Sequence, residues 1–392
     1  MLRVLRVLRF YGLLCFLAGL TGIVLAADDT DVNKSKMADL GAALFFDVNL
    51  SQDRTQSCAT CHDPARAFTD WRDSGVSAAA SLGGDLMSLG DRNAPTISYA
   101  ALTPEFHVNK EGEYVGGMFW DGREANLAGQ AGGPPLNPIE MAFPNKAAVV
   151  ERLLESQIYE TAFKEIFGET IFNDIDMAYQ AMTESIAAFE KTEFFYPFDS
   201  KYDRYLRGEY ELTREEELGM TLFFSEQFTN CNQCHQLNTL PGSSGETFSN
   251  YTYHNIGVPV NEVLRAANGL GEDYLDQGLL ENPQVSDALQ AGKFKVPTLR
   301  NVAITAPYMH NGVFKDLKTV VLFYNKFNTR NSAAQINPET GETWREPELA
   351  ENISLTELES APALDDRRID ALIAFMRLLT DSRYEALLEL EK

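Results

Sequence analysis

Apolar residues recur with a helical period in three long stretches of this chain, whereas strand signals are sparse. Positions three and four residues apart are apolar through 146–167, 175–192 and 365–380, which places them on one face of an α-helix. In the last stretch these positions are Ile369, Leu372, Ile373 and Phe375. A polar segment, 332–354, is rich in Glu, Asn and Pro and predicts a surface loop. The pattern predicts a mainly α-helical fold with long loops and few strands.

An internal repeat indicates that one helical unit occurs twice. The sequence Leu-Gly-Ala-Ala-Leu-Phe-Phe at 40–46 is echoed by Leu-Gly-Met-Thr-Leu-Phe-Phe at 218–224. Each copy predicts an amphipathic helix. Before the second copy, Thr213 and Glu216 have the spacing of a capping box.

Chain length and the repeat together predict two domains. A chain of 392 residues favours two domains or slightly more. A charged, aromatic connector at 199–209 separates the two copies of the repeat. We therefore predict an N-terminal domain over 27–207 and a C-terminal domain over 208–392, with the boundary near Gly208.

The motif Cys-x-x-Cys-His occurs at 58–62 and again at 231–235. It is the attachment signature of a c-type haem, because two thiols at this spacing can add to the haem vinyl groups while the histidine ligates the iron. A zinc site would need four ligands close together, and a redox dithiol would not need the histidine. We predict two cytochrome-c-like domains, each with one covalently bound haem c. The residues predicted to hold the two haems are Cys58, Cys61, His62, Cys231, Cys234 and His235.

The N-terminus has the features of a secretory signal peptide. Three arginines within the first nine residues precede an apolar run at 10–25, and Ala26 provides a small residue for cleavage. We expect cleavage to remove 1–26, including Cys15. An uncleaved anchor is the alternative, although the apolar run is short for a membrane span. Export combined with covalent haem attachment predicts a bacterial periplasmic protein with no membrane contact after cleavage.

The charge of the chain bears on its partners. With 57 acidic and 33 basic residues, the formal net charge is −24. Such an acidic surface argues against binding to nucleic acid or to anionic membranes. It favours a partner with a basic face, and a merely solvated acidic surface is the alternative.

The histidine count bears on whether one haem iron is open to a substrate. The chain has five histidines, and two of them belong to the haem motifs. His107, His254 and His310 remain as candidate sixth ligands, together with Met and Tyr side chains. No histidine occurs between His62 and Asn93, so the first haem is predicted to be open.

Several further blocks resemble the bacterial dihaem cytochrome c peroxidase and MauG family. Together with the two haem motifs, they span nearly the whole chain that follows the signal peptide. The blocks are Arg-Asn-Ala-Pro-Thr at 92–96, Phe-Trp-Asp-Gly-Arg at 119–123, Asn-Pro-Ile-Glu-Met at 137–141, Leu-Arg-Asn-Val-Ala at 299–303 and Thr-Ala-Pro-Tyr-Met-His at 305–310. The chain is identified as a member of this family.

The resemblance implies that hydrogen peroxide reacts at the first haem, whose proximal ligand is His62. In the family, a glutamine and a glutamate lie over the peroxide pocket, ten and twenty residues beyond the block tryptophan. These positions are Gln130 and Glu140 here, and Glu140 would move a proton between the peroxide oxygens. Trp120 corresponds to the residue that relays electrons between the haems. Without the resemblance, Glu140 would be interpreted as a solvated or capping carboxylate, and Trp120 as a core aromatic.

The resemblance also implies a calcium ion between the haem domains. Its ligands correspond to the side chain of Asn93 and to the backbone carbonyls of Thr305 and Pro307. These are hard oxygen donors, which calcium prefers. By itself, the sequence Asn-Ala-Pro-Thr predicts only a turn.

Tyr324 is the implied sixth ligand of the second haem. It lies fourteen residues after His310, where conventional peroxidases of the family have methionine and MauG-like members have tyrosine. A phenolate ligand lowers the reduction potential of the iron and stabilises its high oxidation states. Met309 is an alternative ligand, and Tyr324 is alternatively an aromatic on a helix face. His107 lies in a segment longer than the family leads us to expect, and it is an alternative cap for the first haem.

Three functions stay open on the sequence. The leading prediction is a periplasmic dihaem peroxidase that reduces hydrogen peroxide to water at the N-terminal haem. Its electrons would pass through the C-terminal haem from a small cytochrome c or copper protein. The alternative is a MauG-like maturase that uses the same peroxide chemistry to oxidise residues of a partner protein. A dihaem electron carrier without substrate chemistry is less favoured, because Glu140 and Gln130 indicate reaction with peroxide.

Overall fold

The computed structural model describes residues 29–237, 245–271 and 273–389. The predicted signal peptide and Cys15 lie outside the described residues. The α-helices are α1 Asp29–Phe45, α2 Cys58–Cys61, α3 Leu127–Ala131, α4 Lys146–Leu154, α5 Gln157–Phe167, α6 Ile175–Glu190, α7 Lys201–Leu206, α8 Arg214–Phe224, α9 Cys231–Cys234, α10 Glu262–Asn268, α11 Leu317–Asn325, α12 Leu355–Leu358 and α13 Asp366–Arg377. The strands are β1 His107–Val108, β2 Tyr114–Val115, β3 Tyr253–His254 and β4 Phe294–Lys295. The predicted fold class, mainly α with long loops and few strands, is confirmed.

The strands form two small antiparallel sheets. Strand β1 pairs with β2, and β3 pairs with β4. Each strand has two residues, so helices and loops build most of the described chain. Within the described ranges, no helix combines the length and the apolar character that crossing a membrane requires.

Helices α1 and α6 cross at Gly41 in the first half of the chain. A Cβ atom at Gly41 would lie 1.8 Å from the Ser185 carbonyl oxygen, so the two backbones can approach this closely only at a glycine. Beside the crossing, the Phe45 ring packs edge-on against Phe189 and Phe195. Helices α4 and α5 contribute further apolar residues to the same core.

The second half of the chain contains the matching crossing, between α8 and α13. A Cβ atom at Gly219 would lie 1.8 Å from the Ala371 carbonyl oxygen. The Phe223 and Phe375 rings pack beside it, with ring centroids 5.0 Å apart. The sequence repeat therefore builds the same helix crossing twice.

The predicted helices are present with shorter bounds, and one of them is divided. The prediction over 146–167 corresponds to α4 and α5. Ser156 separates these two helices and caps α5 by accepting a hydrogen bond from the Tyr159 N–H at 3.4 Å. The predictions over 175–192 and 365–380 correspond to α6 and α13. The predicted capping box at the start of α8 is also present.

The structure describes both the connector at 199–209 and the polar segment at 332–354. The connector contains α7, whose Tyr202 packs against Phe248 and Phe375 in the core of the second half. Gly208 follows α7 with a φ of +74°. The domain boundary at this glycine stays a prediction. The segment 332–354 is mostly exposed, as expected of a surface loop.

Two matching backbone hydrogen bonds join the halves of the molecule. The Asn93 N–H donates to the His310 carbonyl at 2.7 Å, and the Lys295 N–H donates to the Trp120 carbonyl at 2.9 Å. Asn93 and Lys295 occupy matching places in the two halves. Asn93 begins the sequence Asn-Ala-Pro-Thr, and Lys295 begins the corresponding sequence Lys-Val-Pro-Thr. This exchange brings the Trp120 loop of the first half beside the second half.

Candidate active site

The first Cys-x-x-Cys-His motif forms a short helical turn with a fixed histidine. Cys58 and Cys61 begin and end α2, and the His62 N–H donates to the Cys58 carbonyl at 2.9 Å. The His62 Nδ1 lies 3.1 Å from the Phe68 carbonyl oxygen. Because a carbonyl oxygen only accepts, Nδ1 carries the hydrogen and Nε2 keeps the lone pair that a metal needs. Burial lowers the pKa of His62, which favours this neutral form.

The second motif repeats this arrangement. The His235 Nδ1 lies 2.9 Å from the Phe248 carbonyl oxygen, and its backbone N–H donates to the Cys231 carbonyl at 3.0 Å. Burial lowers the pKa of His235 to about 4, so the ring is neutral at pH 7. Both histidines therefore have Nε2 available as an iron ligand.

Two threonines brace the backbone that orients these histidines. The Thr96 hydroxyl donates to the Ala67 carbonyl at 2.5 Å, next to Phe68 in the chain. In the second half, the Thr298 hydroxyl donates to the Thr247 carbonyl at 2.6 Å, next to Phe248. The threonine of each Pro-Thr sequence thus holds the residue that precedes the phenylalanine whose carbonyl fixes the histidine ring.

The residues of both motifs fit covalently attached haem. Each motif lines a cavity, of about 530 Å³ in the first half and about 230 Å³ in the second. The four motif cysteines are free thiols, and burial raises the pKa of Cys58 to about 12 and that of Cys61 to about 11. Among the residues that the structure describes, no three His, Cys, Asp or Glu side chains cluster as a metal-ion site.

Gln130 and Glu140 line the same cavity as His62. The Asn137 amide donates to Glu140 Oε1 at 2.8 Å, and the Glu140 carbonyl accepts from the Gln56 side chain at 2.6 Å. Burial raises the pKa of Glu140, an effect partly offset by the Arg123 guanidinium and by Asn137. The cavity therefore contains a carboxyl group whose environment favours proton exchange nearer to neutral pH.

Trp120 lies between the two cavities and lines both of them. Its indole N–H donates to the Asn93 carbonyl at 2.8 Å. Its own carbonyl accepts from the Lys295 N–H at 2.9 Å. The first bond fixes the indole ring within the first half, and the second joins the Trp120 backbone to the second half.

Tyr324, on α11, lines the second cavity together with His235. Burial raises the pKa of its hydroxyl, and Cys234 and Cys231 raise it further. Within the described part of the chain, no hydrogen bond to this hydroxyl is present. Met309, the alternative ligand, lines both cavities.

The other two histidines of the second half also line the second cavity. The His254 Nε2 lies 2.9 Å from the Thr252 hydroxyl. The His310 ring stacks on Phe294 at a centroid distance of 3.6 Å, and its Nε2 has no hydrogen-bond partner among the described residues. His107, by contrast, is exposed on β1, where its Nδ1 lies 2.8 Å from the Glu105 carbonyl oxygen.

The three residues implied as calcium ligands line the first cavity together. The Asn93 amide nitrogen donates to the Ala78 carbonyl at 3.3 Å, which leaves the amide oxygen as the atom available to a cation. The carbonyl groups of Thr305 and Pro307 are oxygen donors as well. This donor set fits calcium, which prefers hard oxygen ligands.

Comparison with known proteins identifies the family. The family profile of di-haem cytochrome c peroxidases matches residues 35–211. The methylamine utilization protein MauG of Paracoccus denitrificans is 55% identical over 353 residues, which cover 90% of this chain and 90% of that protein. The chain belongs to the di-haem cytochrome c peroxidase family. The sequence-based family assignment is confirmed, and the protein is an oxidoreductase of a family that binds two haems.

Other members of the family show the range of the similarity. The cytochrome c peroxidase Ccp of Escherichia coli is 35% identical over 274 residues, which cover 70% of this chain and 49% of that protein. The crystal structure of the diheme peroxidase BthA from Burkholderia thailandensis superposes with a TM-score of 0.78 at 30% identity, covering 93% of this chain and 89% of that one. The family thus includes MauG proteins and peroxidases.

The sequence-based predictions missed three residues of the first cavity. Lys295 lines both cavities, and burial lowers its pKa to about 8. Tyr99 and Glu190 line the first cavity and are almost fully buried. Alignment of the internal repeat could have found Lys295 and Tyr99, because each occupies a block position matched in the other half. Glu190 had no such signal, since a carboxylate near the end of a helix is ordinarily exposed.

Proposed function

We propose that this protein is a MauG-like periplasmic enzyme that uses hydrogen peroxide to oxidise residues of a partner protein. The observation that carries the proposal is the 55% identity to MauG over nine tenths of both chains. That relative is named for methylamine utilisation, so a protein of a methylamine-utilisation pathway is the proposed substrate. The sequence alone led us to predict a peroxidase first and a MauG-like maturase as the alternative. The comparison reverses this order.

Two features of the chain support oxidation of a partner without prior reduction. Tyr324 lines the second cavity beside His235, where a phenolate would favour oxidised iron over reduced iron. No histidine occurs between His62 and Asn93 to cap the first haem. A haem site that is open when fully oxidised reacts with peroxide before any electron donor acts.

The residues of the first cavity divide the peroxide reaction between them. When bound, the haems supply redox-active iron that accepts oxidising equivalents from peroxide. His62 and His235 would hold the two irons through Nε2, and the motif cysteines would anchor the macrocycles. Glu140 takes a proton from one peroxide oxygen and returns it to the other, so that water leaves. Gln130 orients the bound peroxide by hydrogen bonding.

The residues between the cavities couple the two haems. Trp120 relays electrons between them, since this residue lines both cavities. Asn93, Thr305 and Pro307 hold a calcium ion that keeps the two halves in register. The oxidising equivalents thus become available to a partner that docks outside the first cavity.

The second candidate function is a cytochrome c peroxidase that takes electrons from a small redox protein. The observation that favours it is Met309, which lines both cavities and would give the second haem a higher potential as its ligand. Glu140 and Gln130 would act in the same way under either function. The two candidates therefore differ in the second cavity and in the partner.

Rapid mixing of the fully oxidised holoprotein with stoichiometric peroxide tests the proposal. We expect peroxide to change the spectra of both haems. The rate of this change in the fully oxidised protein should lie within twofold of the rate in protein that has first been reduced by one electron. A reaction that is at least 100-fold faster after this reduction would overturn the proposal in favour of a conventional peroxidase.

A further inference from the structure

Tyr99 is a buried tyrosine of the first cavity that the proposed peroxide chemistry does not use. Its side chain is 1% exposed and lines the cavity that His62 also lines. Its hydroxyl donates to Asp381 Oδ1 at 2.5 Å. Asp381 is fully buried and follows α13 at the other end of the chain. A phenol is thus paired with a carboxylate inside the protein, next to the space for the first haem.

The internal repeat shows that this tyrosine is not required by the backbone. Tyr99 and Asn301 occupy matching places after the two Pro-Thr sequences, with φ values of +63° and +62°. Asparagine tolerates this left-handed conformation, whereas a bulky tyrosine adopts it at a cost. Asn301 also binds Asp381, with its amide donating to Oδ2 at 2.9 Å. An asparagine therefore provides both the left-handed backbone conformation and the hydrogen bond to Asp381. What the tyrosine provides in addition is a phenol group that can be oxidised.

The surroundings of Tyr99 are suited to the loss of an electron coupled to the transfer of a proton. Oxidised phenols are strong acids, so oxidation is favourable only when a base within hydrogen-bond reach accepts the proton. The Asp381 carboxylate is such a base, and burial raises its pKa, which makes it a stronger proton acceptor.

The charges around the pair favour the same outcome. The Arg300 guanidinium lies 5.2 Å from the Tyr99 ring centroid and is paired with Asp203 at 2.6 Å. Arg300, Asp203 and Asp381 together carry one positive and two negative charges. Loss of an electron from Tyr99, with the proton kept on Asp381, leaves this buried cluster neutral. A buried cluster is more stable when its charges balance.

We propose that Tyr99 is a third oxidisable site of the protein, with Asp381 as its proton acceptor. After peroxide has oxidised the first haem site, one electron passes from Tyr99 to that site. The O–H bond of Tyr99 breaks, its proton moves to Asp381, and a neutral tyrosyl radical remains. One electron from a donor reverses the step, and the proton returns from Asp381 to the phenolate oxygen. The inference rests on the proposed reaction of peroxide in the first cavity.

The test is freeze-quenched EPR of the holoprotein after addition of peroxide without a partner protein. We expect a radical signal that narrows when the protein is made with ring-deuterated tyrosine. Tyr99→Phe should lower the yield of this signal at least tenfold while peroxide consumption stays within twofold. Tyr251→Phe is the matched control, because Tyr251 is buried, lines the same cavity and has no carboxylate partner for its hydroxyl among the described residues.

A second variant separates the proton acceptor from the fold. Asp381→Asn keeps a hydrogen-bond acceptor beside Tyr99 but removes the base, so the radical yield should fall at least tenfold while thermal unfolding stays cooperative. A full radical signal in Tyr99→Phe would overturn the proposal. Peroxide consumption without any tyrosyl signal in the wild-type protein would overturn it and leave the proposed function standing. Absence of peroxide consumption would overturn both.

Discussion

The Glu140 carboxyl group has the Asn137 amide as a fixed polar partner in the first cavity, at 2.8 Å. Glutamine has the same shape but cannot transfer a proton. We expect Glu140→Gln to slow peroxide consumption by roughly 100-fold or more, the usual contribution of a general acid–base group. Both haems should stay attached with unchanged resting spectra. Stopped-flow mixing with peroxide measures the rate, and unchanged turnover would remove Glu140 from the mechanism.

Tyr324 is the residue that decides the redox character of the second cavity. Axial ligands shift haem potentials over a span of about 0.8 V. Because thioether stabilises reduced iron and phenolate stabilises oxidised iron, Tyr324→Met should raise the potential of the second haem by about 100 mV or more. A potentiometric titration measures this change. Tyr324→Phe is the companion variant, and an unaltered low-spin EPR signal in it would show that Tyr324 is not a ligand.

The buried carboxyl group of Glu190 makes the stability of the folded protein depend on pH. Its side chain is 5% exposed, its Oε2 has no hydrogen-bond partner among the described residues, and burial raises its pKa from 4.5 to about 8. The folded protein keeps this proton up to about pH 8, whereas the unfolded chain loses it above pH 4.5. The stability that the protonated group contributes is therefore present at low pH and lost as pH rises through this window.

We expect Glu190→Gln to flatten the pH profile, since glutamine does not ionise. The wild-type protein should lose on the order of a few kcal/mol more stability than the variant between pH 5 and pH 8. Urea unfolding of both proteins at the two pH values measures this difference. The control is Glu151→Gln at an exposed position, and equal pH profiles for wild type and Glu190→Gln would contradict the prediction.

Among the elements, the two helix crossings have the strictest steric requirement. Helix propensity alone favours Ala over Gly by about 1 kcal/mol. At Gly41, however, a methyl group would meet the Ser185 carbonyl oxygen at 1.8 Å. We therefore expect Gly41→Ala to destabilise the protein by about 1–3 kcal/mol, the usual cost of overpacking. Denaturant unfolding measures the sign, with Ala43→Ser on the exposed side of α1 as the control.

The sequence was a good guide to the elements and a poorer guide to their ends. Periodicity located α4, α5, α6 and α13 because each packs one apolar face against a core. The division between α4 and α5 depends on the Ser156 cap, which a period does not reveal. Pairing of the two-residue strands depends on contacts between distant segments, such as β3 with β4, which local propensity does not contain.

At the scale of the whole molecule, the two halves are joined through the residues that line the cavities. Trp120 and Asn93 of the first half each form a backbone hydrogen bond to the second half. Asp381 accepts hydrogen bonds from both Tyr99 and Asn301. Arg92 of the first half forms an ion pair with Asp276 of the second at 2.6 Å. Under the proposed function, electron transfer between the haems depends on the same contacts that hold the halves together.

The site could be anticipated from the sequence only where a motif carries its chemistry locally. The haem motifs and the block positions of Gln130, Glu140 and Trp120 are of this kind, and the structure gathers them around the cavities. Glu190 could not be anticipated, because its burial arises from packing between segments far apart in the chain. The roles assigned to all of these residues stay predictions.

Peroxide-driven oxidation of a partner protein is most directly tested on the proteins of the methylamine-utilisation pathway. These proteins are expressed in cells that lack this enzyme, mixed with the oxidised holoprotein and stoichiometric peroxide, and analysed by peptide mass spectrometry. The account predicts mass changes at aromatic residues of one partner, dependent on peroxide and at least 100-fold slower with Glu140→Gln. Unmodified partners, together with rapid catalytic oxidation of a small reduced cytochrome c, would contradict it.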